Sequence, residues 1–194
     1  MSDKAASAKL LESELLNFTT LDKSLETLSR LEVLLADFLI CVVSGNRLHR
    51  KTSLLKSDGA IGLAAYLASQ SAYEDKDDLD WSAVNHPGSV VFASALATVL
   101  ERPEFRKNFL AASLAGMRAS ASVAHFFGAS HRKRWHITAT AGTFGAVVAA
   151  SAALGFNSAL ARRAFHLAGT NIGGIGRSEE HTSELQSRVD ISYA

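Results

Sequence analysis

Apolar residues recur at helical spacing along most of the chain, and the interruptions divide it into separate helices. The first predicted helix begins after a capping Asp22 and runs to Val43, where the Ser-Gly-Asn at 44–46 is a stop signal. Further helices are predicted over residues 59–73, 87–100, 103–127, 138–154 and, capped by Ser158, 158–168. No stretch alternates apolar and polar residues as a half-buried strand does. The pattern predicts an all-α protein.

Composition and charge narrow the class of protein. The 194 residues, 47% of them hydrophobic, suit a single domain of ordinary size. Twenty Lys plus Arg against 19 Asp plus Glu give no electrostatic case for nucleic acid or for a polybasic membrane contact. The apolar runs are far shorter than the ~20 residues of a membrane span, although membrane-associated packing of the Ala- and Gly-rich helices is an open alternative. A lone Cys41 supports no disulfide framework, so we expect a cytoplasmic protein.

The character of the chain changes at Arg177. From there it reads Arg-Ser-Glu-Glu-His-Thr-Ser-Glu-Leu-Gln-Ser, which matches the translation of a widely used sequencing adapter. We therefore expect residues 177–194 to be an artefactual tail and residues 1–176 to be part of a protein that continues beyond Gly176. A natural polar tail is the alternative.

Two segments place a histidine immediately before a predicted helix. His86 precedes Pro87 and follows the acidic stretch 74–81, and His136 precedes the helix that starts near Thr138. A helix N-terminus offers unpaired N–H groups and partial positive charge to an anion such as a carboxylate, and histidine exchanges protons near neutral pH. The simpler alternatives are a capping histidine, a histidine packed beside Trp135 and a solvated acidic loop.

The sequence gives weaker evidence for a metal site, or for anion binding by the basic run, than for the two histidine motifs. The basic run 132–134 belongs to a predicted connection over residues 130–136 and is typical of a solvated turn, with anion binding as the minor alternative. His125, His131 and His166 lack the spacing of a metal site, so no metal is predicted.

Several segments together resemble the MmgE/PrpD family, which includes relatives of 2-methylcitrate dehydratase and cis-aconitate decarboxylase. They are Asp-Asp-Leu-Asp-Trp at 77–81, His-Pro-Gly-Ser-Val at 86–90, the block 135–146 and Ala-Gly-Thr-Asn-Ile-Gly-Gly at 168–174. The resemblance covers about residues 20–176 and is most specific over 136–146.

The resemblance implies a two-domain enzyme, usually a homodimer, that needs no metal or organic cofactor. A large helical domain would be followed by a smaller α/β domain, which this chain lacks; residues 1–176 would be the N-terminal part of the helical domain. The family cleft binds a small di- or tricarboxylic acid and supports lyase or epimerase chemistry beside a carboxylate, with loss of water or carbon dioxide.

Carried over by position, His86 matches the histidine of the first family motif and His136 that of the second. Asp77, Asp78 and Asp80 match the Asp-rich loop, although Asp-Leu-Asp at 78–80 stands where the family usually has Asp-Asp-Thr, so the expected threonine is missing. Residues 116–118 read Gly-Met-Arg where Gly-Tyr-Glu is usual. We hypothesise that the histidines act as acid and base while the aspartates orient them or a substrate hydroxyl.

The family lysines that would pair with substrate carboxylates would lie beyond Gly176, so this chain by itself is expected to be inactive. The competing hypothesis is a non-catalytic helical module for binding or oligomerisation.

Overall fold

Seven α-helices make up most of the residues described by the computed structural model, which are 2–18, 21–22, 24–48 and 59–174. The helices are α1 (Ser2–Leu15), α2 (Leu25–Leu48), α3 (Ala60–Ser71), α4 (Pro87–Glu101), α5 (Phe109–Arg132), α6 (Ile137–Ala153) and α7 (Ser158–Thr170), with a 3₁₀ helix at Pro103–Asn108. Within these ranges there is no β-strand, only an isolated antiparallel bridge between Asp80 and Asn85. The all-α prediction is confirmed. The predicted tail at 177–194 lies outside the described residues.

The predicted end of the first long helix is wrong. Helix α2 continues through Gly45 to Leu48, because this glycine is a point of close packing rather than a stop signal. Gly45 is buried, and a Cβ there would overlap the carbonyl oxygen of Gln70 in α3. Glycine therefore allows α2 and α3 to approach closely at this position. A local sequence pattern cannot distinguish such a glycine from one that ends a helix.

Other helix ends also differ from the prediction. Residues 103–108 of the helix predicted over 103–127 form the 3₁₀ helix, and α5 begins at Phe109. The predicted basic connection at 130–136 is helical as far as Arg132, and α5 is interrupted instead at Gly128, where φ is 68°. The cap of α7 is Asn157, whose Oδ1 accepts the Leu160 N–H at 2.9 Å, so Ser158 is the first helical residue rather than the cap.

Helix α4 lies at the centre of the packing. Val91, Phe92 and Ala95 have no exposed surface, and Phe92 contacts Phe38 of α2 at a ring-centroid distance of 5.6 Å. Burying such side chains is worth about 1.5–3 kcal/mol each for the larger ones. An apolar helix covered on most faces gives a rigid support for the segment that precedes it.

Helices α4 and α6 run parallel in a fixed register. The His86 N–H donates to Thr138 Oγ1 at 3.0 Å, a Cβ on Gly142 would lie 3.2 Å from Val90 Cγ2, and Ser94 Oγ donates to the Ala146 carbonyl at 3.0 Å. Each contact joins residues 52 positions apart, and successive contacts are four residues apart along both helices. The N-termini of α4 and α6 therefore lie side by side at one end of the molecule.

In the described part of the chain, no helix has the length and apolar character needed to cross a membrane.

Candidate active site

The two predicted histidine motifs meet at the paired N-termini of α4 and α6. His86 is the N-cap residue of α4 and His136 is the N-cap residue of α6. Their segments are tied by the hydrogen bond from the His86 N–H to Thr138 Oγ1. Because both helices point their N-terminal ends in the same direction, their positive dipole ends converge on this site.

The backbone of His136 is held from two sides. Its N–H donates to the carbonyl of Gly174, at 3.1 Å, and its carbonyl accepts the N–H of Thr140, also at 3.1 Å. Gly174 has φ 104°, and a Cβ there would lie 2.5 Å from the Ala139 Cβ, so the segment after α7 needs glycine to reach α6. The Gly-Gly motif at 173–174 therefore supports the histidine rather than forming a separate site.

Asp80 shapes the acidic loop. Its backbone pairs with Asn85 through two hydrogen bonds, of 2.9 and 3.3 Å. Its Oδ1 accepts the Ser82 N–H at 3.0 Å, the Ser82 hydroxyl at 2.6 Å and the Ala83 N–H at 3.3 Å. This carboxylate therefore forms hydrogen bonds within a local turn, as Asp commonly does, and Asp80 shapes the loop that precedes His86.

Asn85 anchors the same loop to α5, a role that the sequence did not predict. The side chain is fully buried, and its Nδ2 donates to Ser120 Oγ at 3.1 Å. A buried amide needs such a partner, because an unpaired one costs free energy. The only sequence signal was a polar residue directly before His86.

Asp77 contacts the His86 ring. Its Oδ1 lies 3.4 Å from His86 Nδ1, and the aspartate side chain is 3% exposed against 25% for the histidine. The Asp77 carboxylate raises the pKa of His86, burial of the ring opposes this, and the charges of Asp75 and Asp78 add to the increase. Nδ1 is buried toward Asp77, and a quarter of the His86 side chain stays exposed, so the ring remains accessible to a substrate.

Asp78 caps α4 from the loop. Its Oδ1 accepts the Gly88 N–H at 2.8 Å, and any Cβ at position 88 would overlap this carboxylate. Burial raises the pKa of Asp78 to about 6; the Gly88 hydrogen bond opposes the increase, and the charge of Asp77 adds to it. Asp78 can therefore exchange a proton near neutral pH.

A family model described as the MmgE/PrpD N-terminal domain matches residues 60–190, which is more than half of the chain. The chain belongs to the MmgE/PrpD family. The match contains all five predicted site residues. It also extends over residues 177–190 of the predicted tail, whose origin stays a prediction. The comparisons with curated proteins and with solved structures give no match.

Among the residues that the structure describes, one group of side chains could hold a cation. Single ligand atoms of Asp75, Asp77 and His86 lie within 4.8 Å of one another, and Asp75 is exposed. Carboxylate and imidazole ligands suit Zn²⁺ or Mn²⁺. Asp75 belongs to the acidic stretch 74–81, for which a solvated loop was the simpler alternative. Its exposed side chain agrees with that alternative, although Asp75 lies beside Asp77 and His86 and has the uncommon φ of 54°.

The basic segment before His136 forms an aromatic and cationic cavity of about 560 Å³, lined by Phe127, Ser130, His131, Lys133, Arg134 and Trp135. The His131 ring stacks on Phe127 at 4.3 Å, and its Nε2 lies 2.9 Å from Thr140 Oγ1. The segment predicted to be a solvated turn therefore has one face folded against the start of α6. The positive charges of Lys133 and Arg134 in this lining would attract an anion.

Proposed function

We propose that this MmgE/PrpD chain provides the proton-transfer part of a lyase or epimerase site for a small di- or tricarboxylic acid, such as 2-methylcitrate or cis-aconitate. The observation that carries the proposal is the pairing of α4 and α6, which brings the N-cap residues His86 and His136 to one end through the Thr138 hydrogen bond. No metal or organic cofactor is part of the proposal.

The proposed chemistry suits two adjacent helix N-termini. Removing a proton next to a carboxylate builds negative charge on the substrate, and the positive ends of α4 and α6 would stabilise it. In a dehydration, a base takes the proton from carbon, an acid protonates the leaving hydroxyl, and a double bond and water form. In a decarboxylation, the bond to the carboxylate breaks, carbon dioxide leaves and an acid protonates the resulting carbanion.

The two histidines receive different roles in this proposal. Asp77 raises the pKa of His86, which favours the protonated ring, so His86 is the general acid. His136 is the base, held by its backbone bonds to Gly174 and Thr140. Asp77 orients His86 from its buried side, and Asp78 is a second group able to exchange a proton at this end of α4.

Binding is tested with the chain itself. In ring-labelled protein, cis-aconitate or citrate should shift the imidazole NMR resonances of His86 and His136. His166 on α7 is an internal control, because it contacts Glu12 at 3.1 Å on α1 and has no role in the proposed site. Equal movement of all histidine resonances, or none at millimolar ligand, would count against a carboxylic acid site here.

Turnover is tested on the full-length protein, whose reading frame is defined by resequencing the source DNA across the Gly176 codon. Ultraviolet absorbance of the conjugated double bond follows 2-methylcitrate dehydration or cis-aconitate consumption. His136→Ala should lower turnover about 100-fold or more with little change in melting temperature, whereas His166→Ala should leave turnover unchanged. Wild-type turnover in His136→Ala refutes the assigned role.

A second candidate function is homo-oligomerisation through α2. Val33, Ile40 and Val43 are 69%, 68% and 51% exposed along this helix. Exposed apolar patches of this kind mark interaction surfaces, which favours a helical assembly module. This role is compatible with the enzyme proposal, because the family resemblance implies a homodimer.

A further inference from the structure

Thr138 has an environment that distinguishes it from the other threonines at the start of α6. It is 8% exposed, and its Oγ1 accepts the His86 N–H from the preceding segment of the site. Thr143 Oγ1 donates to the Ala139 carbonyl at 2.7 Å within its own helix, and Thr140 Oγ1 donates to the Ile137 carbonyl at 3.2 Å. Thr138 is thus the one of these three whose hydroxyl accepts a backbone N–H from the His86 segment.

The hydrogen bond from the His86 N–H to Thr138 Oγ1 also gives a partner to an N–H group at the start of α4. The first N–H groups of a helix have no partner inside the helix. The side chain of the N-cap residue His86 accepts none of these N–H groups in α4. Asp78 accepts the Gly88 N–H, and Thr138 accepts the His86 N–H. Two neighbouring donors at the start of α4 are therefore satisfied by different segments, and only the second links α4 to the His136 segment.

We infer that Thr138 is a positioning residue that fixes His86 relative to His136. Thr138 lies two residues after His136 in the first turn of α6, so this hydrogen bond joins the backbone segments of the two histidines directly. The packing of Val90 on Gly142 and the bond from Ser94 to Ala146 keep the helices in register below it. This inference rests on the proposed function, since the separation matters only if both histidines act on one substrate.

The test compares Thr138→Val, Thr138→Ser and Thr143→Val in the same reading frame used for turnover. Valine keeps the shape of threonine but cannot accept the His86 N–H, whereas serine keeps the hydroxyl. Thr143→Val is the matched control, because it removes a hydroxyl from the same helix without touching His86. The readouts are amide hydrogen exchange at His86, the melting temperature, and kcat and KM measured separately.

Thr138→Val should speed amide exchange at His86 and lower kcat about 10- to 100-fold with KM nearly unchanged, because misplaced reacting groups lose rate. Thr138→Ser should keep most of the wild-type protection from exchange at His86 and most of the wild-type kcat. Thr143→Val should resemble the wild type in both measurements. Unchanged exchange at His86 in Thr138→Val overturns the inference whatever happens to turnover. Faster exchange with wild-type kcat also overturns it, while the His136→Ala result decides the proposed function separately.

Discussion

At the scale of single residues, Asp78 shows how burial changes ionisation in this fold. Its pKa rises from 3.8 to about 6 because the carboxyl group is largely withdrawn from water. A group whose folded pKa is raised contributes stability that is present below the unfolded pKa and lost as pH rises through the folded value. The wild-type chain should therefore lose stability between about pH 4 and pH 6.

Asp78→Asn tests this pH dependence. The amide carries no charge at any pH, and its oxygen can still accept the Gly88 N–H. Two pKa units correspond to about 3 kcal/mol, so the variant should be about 1–3 kcal/mol more stable than the wild type at pH 7 and equally stable near pH 4. Urea unfolding at pH 4, 5, 6 and 7 measures the difference. The exposed Glu32→Gln is the control, because it removes a carboxylate but keeps Asp78. If the free energy of unfolding changes with pH equally in Asp78→Asn and Glu32→Gln, Asp78 is not the group that titrates.

At the scale of elements, the sequence predicted helices wherever a 3.6-residue apolar period was sustained, as in α4 and α6. It failed where glycine served packing between helices. The Ser-Gly-Asn at 44–46 has the residue types of a C-cap and therefore predicts a helix end at Gly45. What decides its role is the Gln70 carbonyl of α3, which is distant in sequence. A local pattern holds no information about that neighbour.

The crossing of α5 and α6 depends on the same use of glycine. A Cβ on Gly145 would lie 2.8 Å from the Ser120 Cβ and 2.9 Å from the Gly116 carbonyl oxygen, so Gly145→Ala forces the two helices apart. The gain in helix propensity, about 1 kcal/mol, should be exceeded by the cost of overpacking, about 1–3 kcal/mol.

The expected net result for Gly145→Ala is a lower melting temperature in thermal unfolding followed by circular dichroism. Gly173→Ala serves as the control, because its added Cβ would meet no atom within 4 Å. A melting temperature for Gly145→Ala at or above that of Gly173→Ala would show that the helices can adjust without cost.

At the scale of the whole molecule, the candidate site was only partly readable from the sequence. His86 and His136 were identified because each precedes a helix start, and the acidic loop because it precedes His86. Their meeting depends on the 52-residue register between α4 and α6, set by contacts such as Ser94 with Ala146. That register comes from the packing of small residues in three dimensions, so no local pattern could predict it. The contact of Thr138 with the His86 N–H depends on the same register and was not predicted either.

The exposed apolar face of α2 leads to a prediction about assembly. Ile40 lies on this face, 68% exposed, between Val33 and Val43, and a homodimer formed there would remove apolar surface from water at about 25 cal/mol per Å². A glutamate at position 40 would have to be desolvated in that interface, so Ile40→Glu should convert a wild-type dimer to a monomer in sedimentation velocity. Leu160→Glu, on the exposed side of α7, is the control and should remain dimeric. A monomeric wild type, or a dimer that persists in Ile40→Glu, would exclude α2 as the interface and remove the observation that favours the assembly role.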